Sequence, residues 1–404
     1  MPTIYRVVQD LLSRPVIRVA AISAFAGVGF SGANLVLAWA LPEEDYGLVA
    51  LVVALVNMGA GIGPLGLDGV VNRQLVRADR RLLNVGVAAG GICATAVCMA
   101  GFVLYDLTPA ISMVMWLAIV AGALTMLAEA RFQAVHRFVL ATSLGQSGNL
   151  GLAAASLVVI LLNVRSPVLA VSLIAGIFVA TAAWSWSRLL SQIDYESRQI
   201  AYKDLSDAVS FAGIMAAAQL LLQIERMLIP GLISLEALAT FGVMAAIVVA
   251  PYRTLQMAVR FTLLPRLRST SDPSLRLQML GKETAFLGVI CALGALALWV
   301  LTPPVVELLY SEKFEVSQAL LAAGIVSGII KVLSAVVRTA AEAYCSTREL
   351  WIQTWLSWLA VGLSVAGAIV GVRWGLPGVV YGASAGPVIR SIPTALIAAK
   401  YYKA

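Results

Sequence analysis

Charged residues are scarce in this chain of 404 residues. Asp, Glu, Lys and Arg together make up 12% of the sequence, whereas a soluble globular domain has about 25%. Hydrophobic residues make up 60%, so most of the chain belongs in a lipid bilayer. The formal net charge of +7 therefore does not indicate nucleic-acid binding, and we expect no nucleic-acid partner.

Histidine and cysteine are also rare, and this restricts the chemistry. A histidine-based triad would have to use the single histidine, His136, for which we expect an interfacial position beside Arg137. The four cysteines have no spacing typical of a metal site or a disulfide framework. Gly61-Ile-Gly63-Pro-Leu-Gly66 matches a dinucleotide-binding pattern, but no strand precedes it, so it indicates close helix packing. The sequence predicts neither an enzyme nor a bound metal or cofactor.

Apolar runs that could cross a bilayer recur along the whole chain, each with the roughly 20 residues that one helix needs. The sequence thus predicts an all-α polytopic membrane protein with about twelve transmembrane helices. Their predicted positions are roughly 16–40, 47–71, 83–105, 110–132, 139–162, 168–189, 208–230, 236–260, 284–303, 317–340, 350–372 and 376–398. We expect residues 1–190 to form an N-terminal six-helix lobe, 191–207 a cytoplasmic linker and 208–404 a C-terminal six-helix lobe.

The basic residues predict the orientation of these helices. Most of the 28 Lys and Arg residues lie in one alternate set of connections, whereas the opposite set holds only Arg165, Lys313 and Arg373. Basic connections stay in the cytoplasm. We therefore expect cytoplasmic N- and C-termini.

Two short matches suggest that the halves of the chain are related. Leu107-Thr108-Pro109 and Leu301-Thr302-Pro303 are both predicted to connect helices. Tyr46-Gly47 and Phe241-Gly242 are separated along the chain by almost the same number of residues as these two segments. A six-plus-six duplication would give two parallel repeats, with a substrate path between them.

A polar stripe runs along the tenth predicted helix. Its members follow at spacings of four, three, four and four, which places them on one helix face. They are Ser327, Lys331, Ser334, Arg338 and Glu342. A Lys inside a spanning helix costs about 3 kcal/mol to insert, so Lys331 should face protein or water. We interpret the stripe as the wall of an aqueous path for an anionic group. The alternative is a structural salt bridge between Lys331 and a carboxylate such as Glu225, and both can hold in different states of one transport cycle.

The seventh predicted helix carries a second polar face, formed by Gln219, Gln223 and Arg226, with Glu225 beside it. This face is interpreted either as a cavity wall with a cation and a titratable carboxylate, or as packing. In the second case Arg226 reaches the surface and Glu225 pairs with another helix.

Four further residues complete the candidates. Arg18, at the inner end of the first helix, and Arg260, in a basic connection, are added to the predicted substrate path. Asp68 and Glu129 are candidates for binding a coupling ion or for structural salt bridges. The predicted coupling carboxylates are Glu225 and Asp68, with H⁺ or Na⁺ as the ion.

Five segments in order along the chain resemble signatures of a known family. Leu41-Pro-Glu-Glu-Asp-Tyr-Gly47 is similar to "LGPEEYG", and Gly66-Leu-Asp68 with Arg73 to "lGl…r". Ile224-Glu-Arg-Met-Leu-Ile229 resembles "iDrllig" with Glu for Asp, Phe241-Gly-Val-Met-Ala245 resembles "lGxYxxA" without its Tyr, and Leu309-Tyr-Ser-Glu-Lys-Phe314 resembles "lyGeeF" with Ser for Gly. By these motifs the chain resembles the polysaccharide flippases (Wzx-like) of the multidrug/oligosaccharidyl-lipid/polysaccharide exporter superfamily.

The resemblance implies two six-helix lobes forming a V in a bacterial inner membrane. It implies alternating access, an undecaprenyl-pyrophosphate-linked oligosaccharide as substrate and, in many members, ion coupling. Partners would include the lipid bilayer, glycosyltransferases and a polysaccharide polymerase. The product is left open among O-antigen, capsule and exopolysaccharide. Twelve helices argue against the lipid II branch, whose members usually carry fourteen.

Three alternatives are weighed against this interpretation. A multidrug exporter of the same superfamily would favour an anionic, aromatic cavity over a basic one. A membrane polysaccharide polymerase or acyltransferase usually needs a large outer loop or a His/Asp centre. A non-transporting scaffold would not need buried charges, which are energetically costly within a bilayer.

Overall fold

The computed structural model of the protein describes residues 15–74, 76–163, 165–191, 198–270, 272–311 and 313–402. Among these residues the chain is helical, apart from connections and one isolated bridge between Val76 and Arg198. The all-α prediction is confirmed. The chain divides into two compact units, Met1–Gln219 and Leu220–Ala404.

The first unit contains eight helices in full and the beginning of a ninth. They are α1 (Pro15–Ala40), α2 (Glu43–Ile62), α3 (Leu67–Gln74), α4 (Arg80–Tyr105), α5 (Pro109–Ala134), α6 (Phe138–Gly145), α7 (Ser147–Leu162), α8 (Pro167–Leu190) and α9 (Tyr202–Leu232). The second unit contains the end of α9 and seven further helices. These are α10 (Leu235–Met244), α11 (Ala250–Ser269), α12 (Pro273–Tyr310), α13 (Gln318–Glu342), α14 (Thr347–Gly371), α15 (Gly375–Ala383) and α16 (Ala385–Ala399).

Side-chain caps fix where several helices begin. Thr108 accepts a hydrogen bond from the backbone N–H of Ile111 and starts α5, and Ser317 accepts one from Leu320 and starts α13. Such caps satisfy N–H groups that have no partner within the helix. The start of α13 matches the predicted helix within a residue, so the whole stripe lies on one helix as predicted.

Ten described stretches are long and apolar enough to cross a membrane, or eleven if α6 and α7, bent by 50°, count as one span. One of the ten runs from Trp351 to Ala399. It turns back on itself, since a Cβ on Gly367 would lie 2.3 Å from the carbonyl oxygen of Gly382. When α6 and α7 count as one span and the two arms of this stretch count separately, the described total reaches the predicted twelve.

The predicted helix at 47–71 is wrong in its second half. Helix α2 ends at Ile62, and a turn follows in which Leu65 and Gly66 have φ of 49° and 81°. A Cβ on Gly66 would lie 2.0 Å from the carbonyl oxygen of Ala208, so close approach of the backbone also requires glycine here. Asp68 therefore lies in the separate short helix α3.

The predicted connection at Leu301-Thr302-Pro303 is also wrong. Helix α12 continues through it to Tyr310, and Thr302 is fully buried. Membrane helices tolerate proline because neighbouring groups can satisfy the freed carbonyls. Thr108, which occupies the same position in the other Leu-Thr-Pro sequence, caps a helix instead. These two segments therefore give no support to a duplication, and the predicted lobes stay a prediction.

A hydrophobic cluster in the second unit holds α13 against α11. It contains Leu263 and Leu267 of α11, Val336 and Ala340 of α13, and Tyr402 beyond α16. Val336 and Ala340, members of the cluster on α13, lie beyond Lys331 along the helix. The cluster thus fixes the rotation of the helix that carries the stripe.

Candidate functional site

An ion pair between α13 and α9 lies at the centre of the candidate site. The Nζ of Lys331 pairs with Oε1 of Glu225, and the Ser327 hydroxyl donates to the same oxygen at 3.4 Å. The side chain of Glu225 is 4% exposed and that of Lys331 is 18% exposed. The salt-bridge alternative is therefore the arrangement present in this structure. The Lys331 side chain nevertheless keeps part of its surface open.

Two glycines bring α13 close to the end of α10 and the start of α11. A Cβ on Gly328 would lie 2.3 Å from Cδ2 of Tyr252, and one on Gly324 would lie 2.3 Å from Sδ of Met244. The hydroxyl of Tyr252 donates to the carbonyl oxygen of Cys291 at 3.4 Å. Larger residues would push α13 away. The small residues on this face of α13 thus determine how closely the helix that carries Lys331 packs against its neighbours.

The basic end of the stripe forms a second charged group. Nε of Arg338 lies 3.4 Å from Oε1 of Glu342, one turn further along α13. Arg390 of α16 lies close enough to interact electrostatically with both. A guanidinium nitrogen of Arg268 donates to the backbone carbonyl of Glu342 at 3.4 Å. Cations therefore outnumber carboxylates here.

Ser334, between these two charged groups, takes part in helix packing. Its hydroxyl accepts a hydrogen bond from the hydroxyl of Ser391 at 2.8 Å and donates to the carbonyl oxygen of Pro387 at 3.4 Å. Both partners belong to α16. The stripe therefore meets α9 at Ser327 and Lys331 and meets α16 at Ser334.

A pair of arginines adds to the positive charge of the second unit. Arg226 of α9 is half-buried, and Arg253 of α11 lies close enough for the two charges to repel. Among the basic residues that we assigned to connections were Arg253 and Arg390, and this assignment is wrong because each lies inside a helix. Both fall within predicted ranges, 236–260 and 376–398, and those positions were the available signal.

The remaining predicted path residues are not brought to one place. Gln223 is 2% exposed in the second unit. Gln219 belongs to the first unit, where its amide would meet a Cβ on Gly61. Arg18 is exposed in the first turns of α1. The side chain of Arg260 lies outside the described residues.

A carboxylate pair lies in the first unit. Asp68 of α3 and Glu129 of α5 interact electrostatically. Gln133 donates to Glu129 at 2.9 Å and accepts from Asn72 at 3.2 Å. Burial raises the pKa of Asp68, which lies outside the spanning helices, against a lowering hydrogen bond from the backbone of Gly69. A raised pKa means that this carboxyl group binds a proton at a higher pH than an exposed aspartate does.

His136 occupies the turn between α5 and α6. It has φ of 59°, is exposed, and its ring packs edge-on against Phe138 at 5.6 Å. Over the part of the chain that is described, no group of three or more His, Cys, Asp or Glu side chains could hold a metal ion.

Comparison with solved structures shows where this fold recurs. An inward-facing multidrug resistance MATE family transporter of the MOP superfamily is similar with a TM-score of 0.65 and 14% identity, over 93% of this chain and 94% of that chain. The lipid II flippase MurJ, in an inward closed conformation, is similar with a TM-score of 0.65 and 12% identity, over 95% and 87%. The MATE multidrug transporter DinF-BH in complex with R6G gives 0.61 and 15%, over 97% and 96%.

No protein-family model and no curated protein sequence matches the chain. Identities of 12% to 15% show a shared fold and nothing further about the site. The chain is therefore a multi-pass helical membrane protein with the fold of MATE transporters and of the lipid II flippase MurJ.

Proposed function

We propose that this protein is a flippase that moves undecaprenyl-pyrophosphate-linked oligosaccharide units across the bacterial inner membrane by alternating access. The observation that carries the proposal is an excess of positive charge on the spanning helices of the second unit. We take together seven charged residues on α9, α11, α13 and α16, namely five cations and two carboxylates, which carry three net positive charges among them. They are Arg226, Arg253, Lys331, Arg338 and Arg390 against Glu225 and Glu342.

Positive charge within a bilayer is costly, and like charges at close range raise the cost. The pairs Arg226/Arg253 and Arg338/Arg390 are both of this kind. A pyrophosphate group supplies negative charge and oxygen atoms in a geometry that guanidinium groups bind bidentately. An anionic lipid-linked substrate would thus offset a cost that a neutral or cationic substrate would leave in place.

The pair of Lys331 and Glu225 supplies the element that changes during transport. A pyrophosphate that reaches Lys331 competes with the Glu225 carboxylate for the ammonium group. Glu225, displaced from its cation while 4% exposed, would then need a coupling cation in place of Lys331. This gives Glu225 its proposed role in ion coupling, with H⁺ or Na⁺ as the ion. Asp68 is proposed as a second proton-binding carboxylate because burial raises its pKa.

The proposal includes an orientation and a setting. The end of α13 with Arg338 and Glu342 would face the cytoplasm, where glycosyltransferases assemble a lipid-linked substrate, and a polysaccharide polymerase would act on the translocated product. The two six-helix lobes, 1–190 and 208–404, would provide the alternating access. A polymerase or acyltransferase activity is not proposed, because the similar solved proteins are described as transporters and a flippase.

Substitution within the charged stripe tests the proposal in cells. We expect Lys331→Ala and Arg338→Ala each to lower polysaccharide export when export is compared at equal amounts of protein in the membrane. The matched control is Lys282→Ala, which removes an exposed cation from α12. Unchanged export in both stripe variants, with the control also unchanged, rules out the proposed path.

A multidrug exporter is the second candidate, favoured by the MATE transporters among similar structures and by the buried carboxylate of Glu225. Such an exporter would need the carboxylate for a cationic drug and would not need Lys331. Cellular accumulation of R6G distinguishes the two. An exporter predicts that expression lowers accumulation and that Glu225→Gln reverses this, whereas the flippase predicts no change on expression.

A further inference from the structure

Three tyrosines gather where α11, α13 and α16 end. Tyr344 lies between α13 and α14, and Tyr401 and Tyr402 follow α16. The ring of Tyr401 stacks on that of Tyr344 with centroids 6.1 Å apart, and the ring of Tyr402 packs edge-on against it at 5.9 Å. Aromatic pairs at these separations attract each other beyond the effect of the area that they bury. We call these three residues the tyrosine clasp.

The hydroxyl groups of the clasp bind backbone carbonyls at the ends of two helices. The last carbonyls of a helix have no partner within it. The hydroxyl of Tyr402 donates to the carbonyl oxygen of Ala340 in α13 at 3.2 Å. The hydroxyl of Tyr344 donates to the carbonyl oxygen of Leu267 in α11 and lies 3.3 Å from that of Thr270. The clasp therefore joins the end of α13 to the chain that follows α16, and the end of α11 to the chain that follows α13.

Two further contacts hold neighbouring helices to the clasp. The guanidinium carbon of Arg276 in α12 lies 4.0 Å from the centre of the Tyr344 ring, and its Nε donates to the carbonyl oxygen of Thr270 at 2.6 Å. The hydroxyl of Tyr401 donates to the carboxylate of Glu349 in the first turn of α14. Helices α12 and α14 thus meet the same three tyrosines.

The helices joined by the clasp also carry the basic end of the stripe. Each contributes one arginine: Arg268 on α11, Arg338 on α13 and Arg390 on α16. The clasp binds α11 at Leu267, directly before Arg268, and binds α13 at Ala340, two residues after Arg338. Guanidinium groups repel one another. Their spacing is therefore imposed by the helices that carry them, and the clasp fixes where those helices end.

We propose that Tyr344, Tyr401 and Tyr402 are positioning residues, which hold the three arginines at the spacing that binds a pyrophosphate group. The identity of the ligand rests on the proposed function, whereas the contacts of the clasp do not. A guanidinium group binds phosphate oxygens through two parallel hydrogen bonds, and this requires a defined geometry. A shift of one helix end would therefore weaken binding although the arginines themselves are unchanged.

The affinity of the purified full chain for inorganic pyrophosphate tests the positioning role. It is measured by titration calorimetry in detergent micelles, at a temperature at which circular dichroism shows every variant to be folded. Tyr402→Phe keeps the ring and loses the hydrogen bond to Ala340, so we expect affinity to fall about two- to tenfold. Tyr402→Ala should lower it further, and Arg338→Gln should lower it as well. The matched control is Tyr381→Phe, on the exposed surface of α15, which should bind as wild type does.

The reactivity of Cys345 tests the clasp itself, without any ligand. Cys345 follows Tyr344 and packs against the same hydrophobic cluster as Tyr402. Burial, with a smaller effect of the Glu349 carboxylate, raises the pKa of its thiol to about 11. Because the thiolate is the form that reacts, maleimide should label wild type slowly. Opening of the clasp in Tyr402→Ala should return the pKa towards about 8.5 and speed labelling at least about tenfold. Labelling of Cys345→Ser gives the background from the other cysteines.

The two measurements separate the ways in which the proposal can fail. Unchanged labelling of Cys345 in Tyr402→Ala would show that the tyrosines do not hold this end together. Faster labelling with wild-type pyrophosphate affinity in both Tyr402 variants would leave a structural contact and overturn the positioning role. A wild-type chain that does not bind pyrophosphate would overturn the assigned ligand. If Tyr402→Ala does not fold, Tyr344→Phe replaces it, since it loses the bonds to α11 and keeps the ring. Binding is measured without transport, so a negative flippase assay does not decide this test.

Discussion

Removing one partner of the Lys331–Glu225 pair should destabilise the protein far more than removing both. Glu225→Gln leaves an ammonium group inside a spanning helix, where loss of one member of a buried pair costs about 3–5 kcal/mol. The Lys331 side chain is 18% exposed and thus only partly buried, so we expect a value near the lower limit. Lys331→Met leaves the less exposed carboxylate without its cation. We expect a loss of similar size.

The double variant Glu225→Gln/Lys331→Met removes both charges together. No unpaired charge remains, so we expect its stability to return to within about 1 kcal/mol of wild type, which corresponds to a coupling energy of roughly 5 kcal/mol between the two substitutions. Reversible unfolding in mixed micelles, followed by circular dichroism, measures the four free energies. Lys282→Met serves as the exposed control.

Export in the same four proteins separates a structural role from a transport role. We expect the double variant to be stable and inactive, because it lacks the cation proposed to bind the substrate. If the double variant lost as much stability as the two single variants combined, the energetic argument would be refuted. A stable double variant with normal export would refute the functional one.

Two further predictions concern packing and protonation. Gly328→Ala should destabilise the protein by about 1–3 kcal/mol, because the new methyl group overlaps the ring of Tyr252. Gly288→Ala, whose methyl group meets open space, should not destabilise it. Equal effects of the two variants in the unfolding assay would contradict this prediction. The raised pKa of Asp68 means that the folded protein binds a proton there more tightly than the unfolded chain does, so stability should fall as pH rises through the folded-state pKa. Asp68→Asn should be more stable than wild type near neutral pH and should flatten this pH dependence, and an unchanged profile in a thermal-unfolding series would show that Asp68 does not titrate in that range.

The candidate site could be predicted from the sequence in part, because helical spacing determines which residues share a face. The stripe from Ser327 to Glu342 follows from that spacing alone, and Glu225 was the named carboxylate for the salt bridge with Lys331. Which helix approaches α13 could not be deduced in the same way. That approach depends on Gly324 and Gly328 meeting Met244 and Tyr252 across the helix contact.

Arg253 and Arg390 were missed because a basic residue near the end of an apolar run looks like part of a connection. In the structure both lie on helices that pack around the stripe. Local tripeptides were equally ambiguous. Thr108 caps a helix while Thr302 lies buried within one, in the same Leu-Thr-Pro sequence. The difference arises from tertiary surroundings, which hydropathy along the chain does not record.

The most direct test of the proposed function is transport by the purified protein in proteoliposomes. Two lipids are compared, an oligosaccharide linked to undecaprenyl through pyrophosphate and undecaprenyl monophosphate without sugar, for wild type and for Lys331→Ala. We predict that wild type moves the pyrophosphate-linked lipid between leaflets faster than the monophosphate, and that Lys331→Ala abolishes this difference. Equal movement of both lipids by wild type, or an undiminished preference in Lys331→Ala, would contradict the proposal that the cations of the second unit carry a pyrophosphate across the membrane.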